Sequence, residues 1–326
     1  MTIGHDVTRR DLLKRAGATA ALGTLAGFVP TVAQAAAPML GVSRPSIYRF
    51  KLGAFEVTNI LDGYVQGNGP HPNYGNNQPA EAVQAYATSQ GLPPTRMENI
   101  FVNTIVNTGK ELVLFDSGNG KARMKTAGHL PDHMATAGFT PEQIDIVVVT
   151  HGHQDHIGGL MADGKPVYPN ARYVFSDREF DFWTKGDVPD ARKVNRDLFM
   201  KVAAPLAEKA TMLKADGEVV SGIRAVAAYG HTPGMLAFRI ESEGRQLLNW
   251  ADTANHYIMA VQQPDWHVGA DHDKEAGAAN RRRIFDMVSA DRIPVVGYHM
   301  PFPSVGFVEK AGTSYRWVPA SYQFNL

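Results

Sequence analysis

One stretch of this 326-residue chain decides the fold: Ile144-Asp145-Ile146-Val147-Val148-Val149-Thr150-His151-Gly152-His153-Gln154-Asp155-His156-Ile157-Gly158-Gly159. Its first six residues are mostly β-branched and apolar, which is typical of a buried strand. Four side chains able to bind a metal then follow within six residues: His151, His153, Asp155 and His156. Without a cation, three imidazoles and a carboxylate crowded together would be costly, because of desolvation and like-charge repulsion. The stretch therefore predicts a metal centre at the end of a core strand.

The spacing of these four residues favours two ions. Alternate residues of an extended segment point the same way, so His151 and His153 can hold one ion. Asp155 and His156 lie about one turn further along the chain, where they can face a second ion.

The composition excludes several other kinds of site. The chain has 32 Lys+Arg and 32 Asp+Glu, so no charge excess attracts nucleic acid or an anionic membrane. It contains no cysteine, which removes disulfides, thiolate zinc sites, iron–sulfur clusters and a cysteine nucleophile. Any metal is therefore held by nitrogen and oxygen. A content of 44% hydrophobic and 20% charged residues fits a globular protein.

The first 35 residues resemble a twin-arginine export signal. Thr8-Arg9-Arg10-Asp11-Leu12-Leu13-Lys14 carries the arginine pair, and residues 16–29 are uncharged and mildly apolar. That run is shorter than the roughly 20 residues that span a bilayer, and small residues suited to cleavage follow it at 33–35. We expect export by the twin-arginine machinery, cleavage, a periplasmic or secreted enzyme and no stable membrane anchor. An uncleaved anchor and a cytosolic helix are the alternatives.

The rest of the chain alternates short apolar runs with helical patterns. Strands are predicted at 50–60, 101–107, 111–116, 144–149, 172–176, 223–228, 235–241, 246–250 and 293–296. Helices are predicted at 120–137, 177–183, 190–210 and 273–289. Strands come before and after the helices twice over. This order favours an α/β fold, a four-layer αββα sandwich, as a single domain over residues 36–326.

The H-x-H-x-D-H pattern of residues 151–156 resembles the signature of the metallo-β-lactamase-fold hydrolases. Three later positions match the family's remaining ligands. His231 lies in Gly230-His231-Thr232-Pro233-Gly234, Asp252 follows the predicted strand 246–250, and His299 follows the predicted strand 293–296. In addition, Asp116 matches an aspartate that supports the family's metal site from behind the ligands.

The resemblance implies a division of these residues between two ions. One ion takes His151, His153 and His231, the other takes Asp155, His156 and His299, and Asp252 bridges both. Such a set suits Zn²⁺ best, while Fe, Mn and Co stay open. Two divalent cations sharing a water would lower its pKa and so create a hydroxide nucleophile. In this scheme Asp252 is catalytic as the bridge, and Asp155 helps to protonate the leaving group.

Within the family, the chain resembles the exported methyl parathion hydrolase-like branch, which includes lactonases and aryl esterases. The likeness lies in Asp181-Phe182-Trp183 and in the segments 231–234 and 299–303. It implies a small lactone or apolar ester as substrate, with Trp183 and Phe199 lining the pocket. An equal alternative is that both aromatics belong to the core. Residues 119–123 lack the aromatic of that branch, which favours lactones and esters over phosphotriesters.

Other functions stay open on the sequence. A β-lactamase-type amide hydrolase shares the fold, and an iron-dependent persulfide dioxygenase or a diiron flavoprotein would need an iron site. A non-catalytic zinc binder is a further alternative. A homodimer is left open as the assembly.

Two stretches near the end of the chain are interpreted as surface features. Residues 266–273 contain two histidines and two aspartates, which we interpret as a solvated loop leading into a helix cap. Arg281-Arg282-Arg283 is interpreted as a solvated helix face.

Overall fold

The structure, a computed structural model, describes residues 37–121 and 124–325. The chain divides into two units, Met1–Ser43 and Arg44–Leu326. Of the first unit, residues 37–43 are described, and they are exposed and without helix or strand. The predicted export signal at 1–35 lies outside the described residues. Among the residues that are described, none of the helices has the length and apolar character needed to cross a bilayer.

The second unit contains strands throughout its length. In chain order they are β1 Ile47–Leu52, β2 Phe55–Asn68, β3 Arg96–Asn107, β4 Leu112–Phe115, β5 Ile146–Val149, β6 Met161–Ala162, β7 Lys165–Pro166, β8 Arg172–Ser176, β9 Ala210–Leu213, β10 Glu218–Val220, β11 Ile223–Ala227, β12 Leu236–Ser242, β13 Arg245–Asn249, β14 Val295–Val296, β15 Val305–Ala311 and β16 Ser314–Pro319. They form two large sheets, with the orders β1-β2-β3-β4-β5-β8-β9 and β10-β11-β12-β13-β14-β15-β16, and the small pair β6-β7.

Helices cover the outer faces of the two large sheets. They are α1 Ala80–Ser89, α2 Leu130–Thr136, α3 Gln154–Ile157, α4 Asp177–Lys185, α5 Lys193–Val202 and α6 Lys274–Ala290. Three apolar layers separate the elements: one between the sheets, one between the first sheet and α2 to α5, and one between the second sheet and α6. The predicted four-layer αββα sandwich is confirmed.

The alternation of side chains along β5 shows how the sequence builds these layers. Ile146 and Val148 pack between the sheets, whereas Val147 and Val149 pack against the helices. Successive residues of a strand point to opposite faces, so an unbroken apolar run is what a strand covered on both sides requires. The same strand is parallel to both of its neighbours, β4 and β8. It is therefore an interior strand, the fifth of seven in its sheet.

Several predicted elements are wrong in their bounds. The predicted strand 50–60 is a hairpin, because the chain reverses at Gly53 to pair β1 with β2. Within the described part of the predicted helix 120–137, only α2 is an α-helix, and the predicted helix 190–210 is divided around α5 by 3₁₀ turns. Elements that lie outside every predicted one include α1, the short strands β6, β7 and β10, and the closing hairpin of β15 and β16.

The inter-sheet layer is expected to dominate the stability of the fold. Phe238 is 1% exposed in this layer, and its ring packs against that of Phe115, with centroids 5.3 Å apart. Replacing Phe238 by Ala should lower the free energy of unfolding by about 3–5 kcal/mol, because the cavity that remains cannot close fully. Urea denaturation followed by circular dichroism measures this loss.

The matched control is Val194→Ala on α5, where the side chain is 66% exposed. That change should alter the free energy of unfolding by no more than about 0.5 kcal/mol. A Phe238→Ala protein as stable as the control would contradict the assignment of this layer as the main core.

Candidate metal centre

Loops that follow four strands bring the seven predicted ligands together. His151 and His153 follow β5 directly, and Asp155 and His156 lie in the short helix α3. His231 follows β11, Asp252 follows β13 and His299 follows β14. Strands β4 and β5 run parallel, as do β13 and β14, so the carboxyl ends of the strands in each pair lie at one edge of their sheet. The topology thus gathers residues that are up to 148 positions apart, from 151 to 299.

Three imidazoles form the first group of ligands. Nδ1 of His153 lies 3.1 Å from Nε2 of His151 and 2.9 Å from Nε2 of His231. All three nitrogens lie within 4.8 Å of one another, and the three side chains are buried. Ligand atoms of a tetrahedral zinc site are about 3.3 Å apart, given bond lengths near 2.05 Å. The nitrogens are therefore spaced as ligands that share one cation.

A carboxylate and two imidazoles form the second group. Oδ2 of Asp155 lies 3.6 Å from Nε2 of His156 and 3.5 Å from Nε2 of His299. These atoms also lie within 4.8 Å of one another. The side chain of Asp155 is 17% exposed, whereas His156 is fully buried. This group is the more accessible of the two.

Asp252 lies between the two groups. Its Oδ2 is 3.3 Å from Nε2 of His231 and 3.1 Å from Nε2 of His299, and its Oδ1 is 3.3 Å from Nε2 of His156. The side chain is 4% exposed. One carboxylate thus contacts ligands of both groups, as the bridging position predicted from the sequence requires.

The donors present here fit a pair of cations. Oδ1 of Asp252 and Nε2 of His156 are buried and have no hydrogen-bond partner among the described residues. Buried polar atoms of this kind normally have partners, and leaving them unpaired costs about 1–3 kcal/mol each. A divalent cation bound by these two atoms would compensate for that cost. Imidazole nitrogen and carboxylate oxygen are the ligands that zinc and related divalent metals use in the absence of thiolates.

Each of the five imidazoles has a partner on its other ring nitrogen. The contacts are His151 Nδ1 to Thr150 Oγ1 at 3.1 Å, His153 Nε2 to His272 Nε2 at 3.3 Å, His156 Nδ1 to Asp116 Oδ2 at 2.8 Å, His231 Nδ1 to Asp271 Oδ1 at 2.8 Å and His299 Nδ1 to the Ile100 carbonyl at 2.8 Å. Such contacts fix the tautomer and the orientation of a metal-binding imidazole. Four rings present Nε2 to the centre, and His153 presents Nδ1.

Asp116, the residue predicted to support the metal site from behind the ligands, contacts His156. It follows β4 with a φ of 60°, a conformation that few non-glycine residues adopt. Its carboxylate also accepts hydrogen bonds from the backbone N–H and the hydroxyl of Thr150, both at 2.8 Å. Burial raises the pKa of Asp116, and His156 and Thr150 oppose that shift. Asp116 thereby ties the end of β4 to both ligand segments that follow β5.

The interpretation of 281–283 as a solvated helix face is wrong for Arg281. This side chain is 1% exposed, and its Nη2 lies 2.9 Å from Oδ2 of Asp271. The other carboxylate oxygen of Asp271 holds His231. Segment 266–273 does lead into a helix cap, since Asp273 accepts a hydrogen bond from the N–H of Ala276. It is not a solvated loop, however, because Asp271 is buried behind the metal centre.

Glu179, which the sequence analysis missed, connects two ligand loops. Its carboxylate is 1% exposed and accepts four hydrogen bonds. Oε1 takes the Gly152 N–H at 2.8 Å and Nε1–H of Trp183 at 2.6 Å, and Oε2 takes the Thr232 hydroxyl at 2.7 Å and the Gly234 N–H at 2.9 Å. Gly152 separates His151 from His153, and Gly234 closes the turn after His231. Each carboxylate oxygen therefore holds one loop of the three-imidazole group.

The two glycines are needed for this arrangement. A Cβ on Gly152 would collide with the indole nitrogen of Trp183, and a Cβ on Gly234 would collide with the backbone of Glu179. The loops can approach α4 only because these positions carry no side chain. The signal in the sequence is the pair of glycines next to the ligands, but it does not reveal which carboxylate they approach.

Burial controls the protonation of the three-imidazole group. It lowers the pKa of His151 and of His153 well below the ordinary value, and the neighbouring imidazoles lower both further. Both rings are therefore neutral, which is the form that binds a metal.

Carboxylates control the other side of the centre. Burial acts to lower the pKa of His156, but Asp252 and Asp116 raise it well above the ordinary value. The pKa of His299 is likewise raised, because the effect of Asp252 exceeds that of burial. Conversely, burial acts to raise the pKa of Asp252, yet His299 and His156 hold it well below the usual range. The buried carboxylates thus require positive charge beside them, which protons or a metal can supply.

A cavity of about 600 Å³ opens beside His299. Apolar side chains make up much of its wall, including Leu92, Met97 and Met259, with His256 and Tyr257 beside them. This volume is in the range of small-molecule sites. The cavity gives a ligand access to the metal centre from the side of His299.

Trp183 and Phe199 do not line this cavity. Both are fully buried in the apolar layer between the first sheet and its helices, where their rings stack with centroids 6.1 Å apart. Trp183 also donates to Glu179. The structure favours the alternative interpretation, in which both aromatics are core residues of their helices.

Comparison with known proteins identifies the family of this arrangement. The model of the metallo-beta-lactamase superfamily matches residues 100–290, which is more than half of the chain. Metallo-beta-lactamase domain-containing protein 1 of Mus musculus is 32% identical over 121 residues, 33% of this chain and 41% of that protein. The uncharacterized protein YobT of Bacillus subtilis (strain 168) is 30% identical over 122 residues, 37% of this chain and 51% of that protein. The chain thus spans about half or less of these curated relatives.

Solved structures share the fold over most of the chain. AidC, a dizinc quorum-quenching lactonase in complex with an acyl-homoserine product, superposes with a TM-score of 0.80 at 23% identity, over 85% of this chain and 98% of that one. The hydrolase AbOPH of the beta lactamase superfamily superposes with a TM-score of 0.78 at 22% identity, over 86% and 99%. At these identities the likeness concerns the fold.

Replacing Glu179 by Gln should weaken the three-imidazole group. The amide nitrogen of Gln would face donors that now meet a carboxylate oxygen, so one ligand loop loses its hydrogen bonds. We expect the affinity for one of two Co²⁺ ions to fall about ten- to hundredfold, as when a partner behind a metal ligand is removed. Calorimetric titration of the metal-free protein measures it.

Asp62→Asn is the matched control, since the buried carboxylate of Asp62 also accepts four hydrogen bonds, from Asn119, Gly128 and Leu130. It should lower stability without affecting the ion that is lost in a His231→Ala protein. A folded Glu179→Gln protein that binds both ions with unchanged affinity would refute the role of Glu179.

Proposed function

Because the chain belongs to the metallo-beta-lactamase superfamily, we propose that this hydrolase uses two divalent cations to open a lactone, an aryl ester or a related apolar ester. One observation carries the proposal: the carboxylate of Asp252 contacts ligands of both groups, His231 on one side and His156 and His299 on the other. A site for a single structural ion has no need of such a bridge. Two ions side by side are the arrangement that hydrolases use to activate water.

The residues divide the work as their contacts suggest. His151, His153 and His231 hold one cation, Asp155, His156 and His299 hold the other, and Asp252 holds both. Cations bound here would supply Lewis acidity, which polarises the carbonyl of an ester and makes water acidic enough to attack near neutral pH. No serine or cysteine nucleophile is then needed.

Asp155 is the residue in the best position to move a proton. Its side chain is 17% exposed, whereas Asp252 is 4% exposed and surrounded by imidazoles. A carboxyl group that reaches solvent beside the ligands of the second ion can deliver a proton to the departing alkoxide. We assign Asp155 this second role in addition to its role as a ligand.

The proposed substrate follows from the cavity and from the family. The apolar wall of the cavity suits a hydrophobic acyl or aryl group. That group would extend into the cavity from a carbonyl bound beside His299. AidC, which shares the fold, is a lactonase. These points support a place in the exported methyl parathion hydrolase-like and lactonase branch. Residues 119–123 offer no aromatic to a phosphotriester, which makes organophosphates poorer substrates in this proposal.

Zinc is the proposed native metal, with Fe, Mn and Co as alternatives that the same ligands accept. The nitrogen and oxygen ligands and the dizinc content of AidC support this choice. Nucleic acid is not a proposed partner, and a homodimer is a further open proposal.

A kinetic panel on metal-replete protein tests the function. We expect turnover of γ-lactones and aryl esters, with slower or no turnover of a β-lactam, methyl paraoxon and glutathione persulfide.

Replacing Asp252 by Asn should reduce the metal content from two ions to one and lower kcat/KM by at least about a hundredfold, since half of the bridge becomes a neutral amide. Elemental analysis accompanies the kinetics. Two retained ions with unchanged turnover would contradict the bridging role, and oxygen uptake with the persulfide would favour the dioxygenase instead.

We also propose that the protein is exported in folded form by the twin-arginine machinery and acts in the periplasm or outside the cell. Arg9, Arg10 and the uncharged run at 16–29 support this proposal. N-terminal sequencing of the native protein should find a start near residue 36. Recovery of Met1 or Thr2 at the N-terminus would exclude export with cleavage.

A further inference from the structure

His256 is a buried imidazole that the mechanism above does not use. It is 8% exposed and lies on the wall of the cavity beside His299. The ring is fixed by Tyr257, which stacks on it with centroids 4.9 Å apart, and by Tyr74, which meets it edge-on at 5.4 Å. Tyr74 itself is anchored through its hydroxyl to the carbonyl of Asn255. The orientation of His256 is therefore fixed.

The backbone determines which nitrogen of His256 carries the proton. Nδ1 accepts hydrogen bonds from the N–H groups of Ile258 and Met259, at 3.1 and 3.2 Å. A nitrogen that accepts from two N–H groups is unprotonated, so the proton of the neutral ring is on Nε2. Burial lowers the pKa of His256 to about 4, which keeps the ring neutral in the physiological range.

The Nε2–H group has no hydrogen-bond partner among the described residues. It is also absent from the buried polar atoms that are sealed from solvent, whereas the Nε2 atom of His156 is one of them. A donor left unpaired on a mostly apolar wall is costly unless a ligand or water accepts from it. Leu92 and Met97 on the same wall offer no strong acceptor, and the carboxylate of Glu98, which also lines the cavity, already accepts from Arg44 and Gln66.

We propose that the Nε2–H of His256 donates a hydrogen bond to the acyl part of the substrate. This inference rests on the proposed function, because it assumes that the reacting ester lies at the metal centre beside His299. The acceptor would be a second carbonyl, an amide or a ketone, placed between the reacting group and an apolar chain. The cavity would then prefer acylated lactones or esters with such an oxygen over plain alkyl ones.

Two non-hydrolysable probes test this preference: an α-acylamino-γ-lactam and an α-alkyl-γ-lactam of equal chain length. Calorimetry on metal-replete wild-type protein should show about tenfold tighter binding of the acylamino probe, the effect of one well-formed hydrogen bond. Equal binding of both probes, or binding of neither, would overturn the inference.

Two variants separate the donor from the backbone contacts. His256→Asn keeps an acceptor near the position of Nδ1 for Ile258 and Met259 but removes the donor, so the tenfold preference should disappear while binding of the alkyl probe is unchanged. His256→Gln can place an amide N–H near the position of Nε2 and should retain part of the preference. An equal loss for both probes in His256→Asn would indicate a merely structural role and contradict the proposal.

Tyr257→Phe is the control for the neighbouring hydroxyl and should keep the preference for the acylamino probe. Loss of that preference in Tyr257→Phe would assign the donor to Tyr257 and contradict the proposal. If His256→Asn does not fold, the Nε2–H proton signal of the wild type supplies the answer. It should move downfield with the acylamino probe only, and a signal indifferent to both probes would overturn the proposal. Failure to turn over any lactone or ester would refute the proposed function, whereas turnover of lactones by a protein that shows no preference for the acylamino probe would refute only the inference on His256.

Discussion

The buried carboxylate of Asp252 is the constraint on which the rest of the site depends. A charged group with almost no solvent contact is stable only if positive charge lies beside it. Three imidazole nitrogens lie within 3.3 Å of its oxygens, yet one of these oxygens and one of these nitrogens have no hydrogen-bond partner among the described residues. Cations would supply the missing partners of these two atoms, and the two ligand groups lie on either side of Asp252, where they can hold such cations.

The fold brings the ligands together because they lie in loops that directly follow strands of both sheets. Two sheets packed face to face bring loops from both halves of the chain to one edge of the sandwich. Behind the ligands, buried acids hold the loops in register: Asp116 holds His156, Asp271 holds His231, and Glu179 holds the loops on both sides of the three-imidazole group. Arg281 compensates the charge of Asp271 in turn. The precision of the centre thus depends on groups that would bind no metal.

The sequence could indicate which candidate ligands come together because their signal is local. Residues 151–156 lie within one turn and one loop, and the later ligands each follow a predicted strand. The supporting residues were missed because their role depends on tertiary contacts. Glu179 lies in an ordinary amphipathic helix, and three consecutive arginines indicate a solvated face even though Arg281 points inward. The start of the predicted helix 120–137 was wrong for a related reason. The helix α2 begins at Leu130, whose N–H donates to the carboxylate of Asp62, and apolar spacing does not reveal such a tertiary contact.

Anomalous diffraction from crystals of the purified protein, measured on both sides of the zinc absorption edge, tests the central claim most directly. The account predicts two peaks, one among His151, His153 and His231 and the other among Asp155, His156 and His299, with the carboxylate of Asp252 between them. A single peak, or two peaks that do not share Asp252, would contradict it.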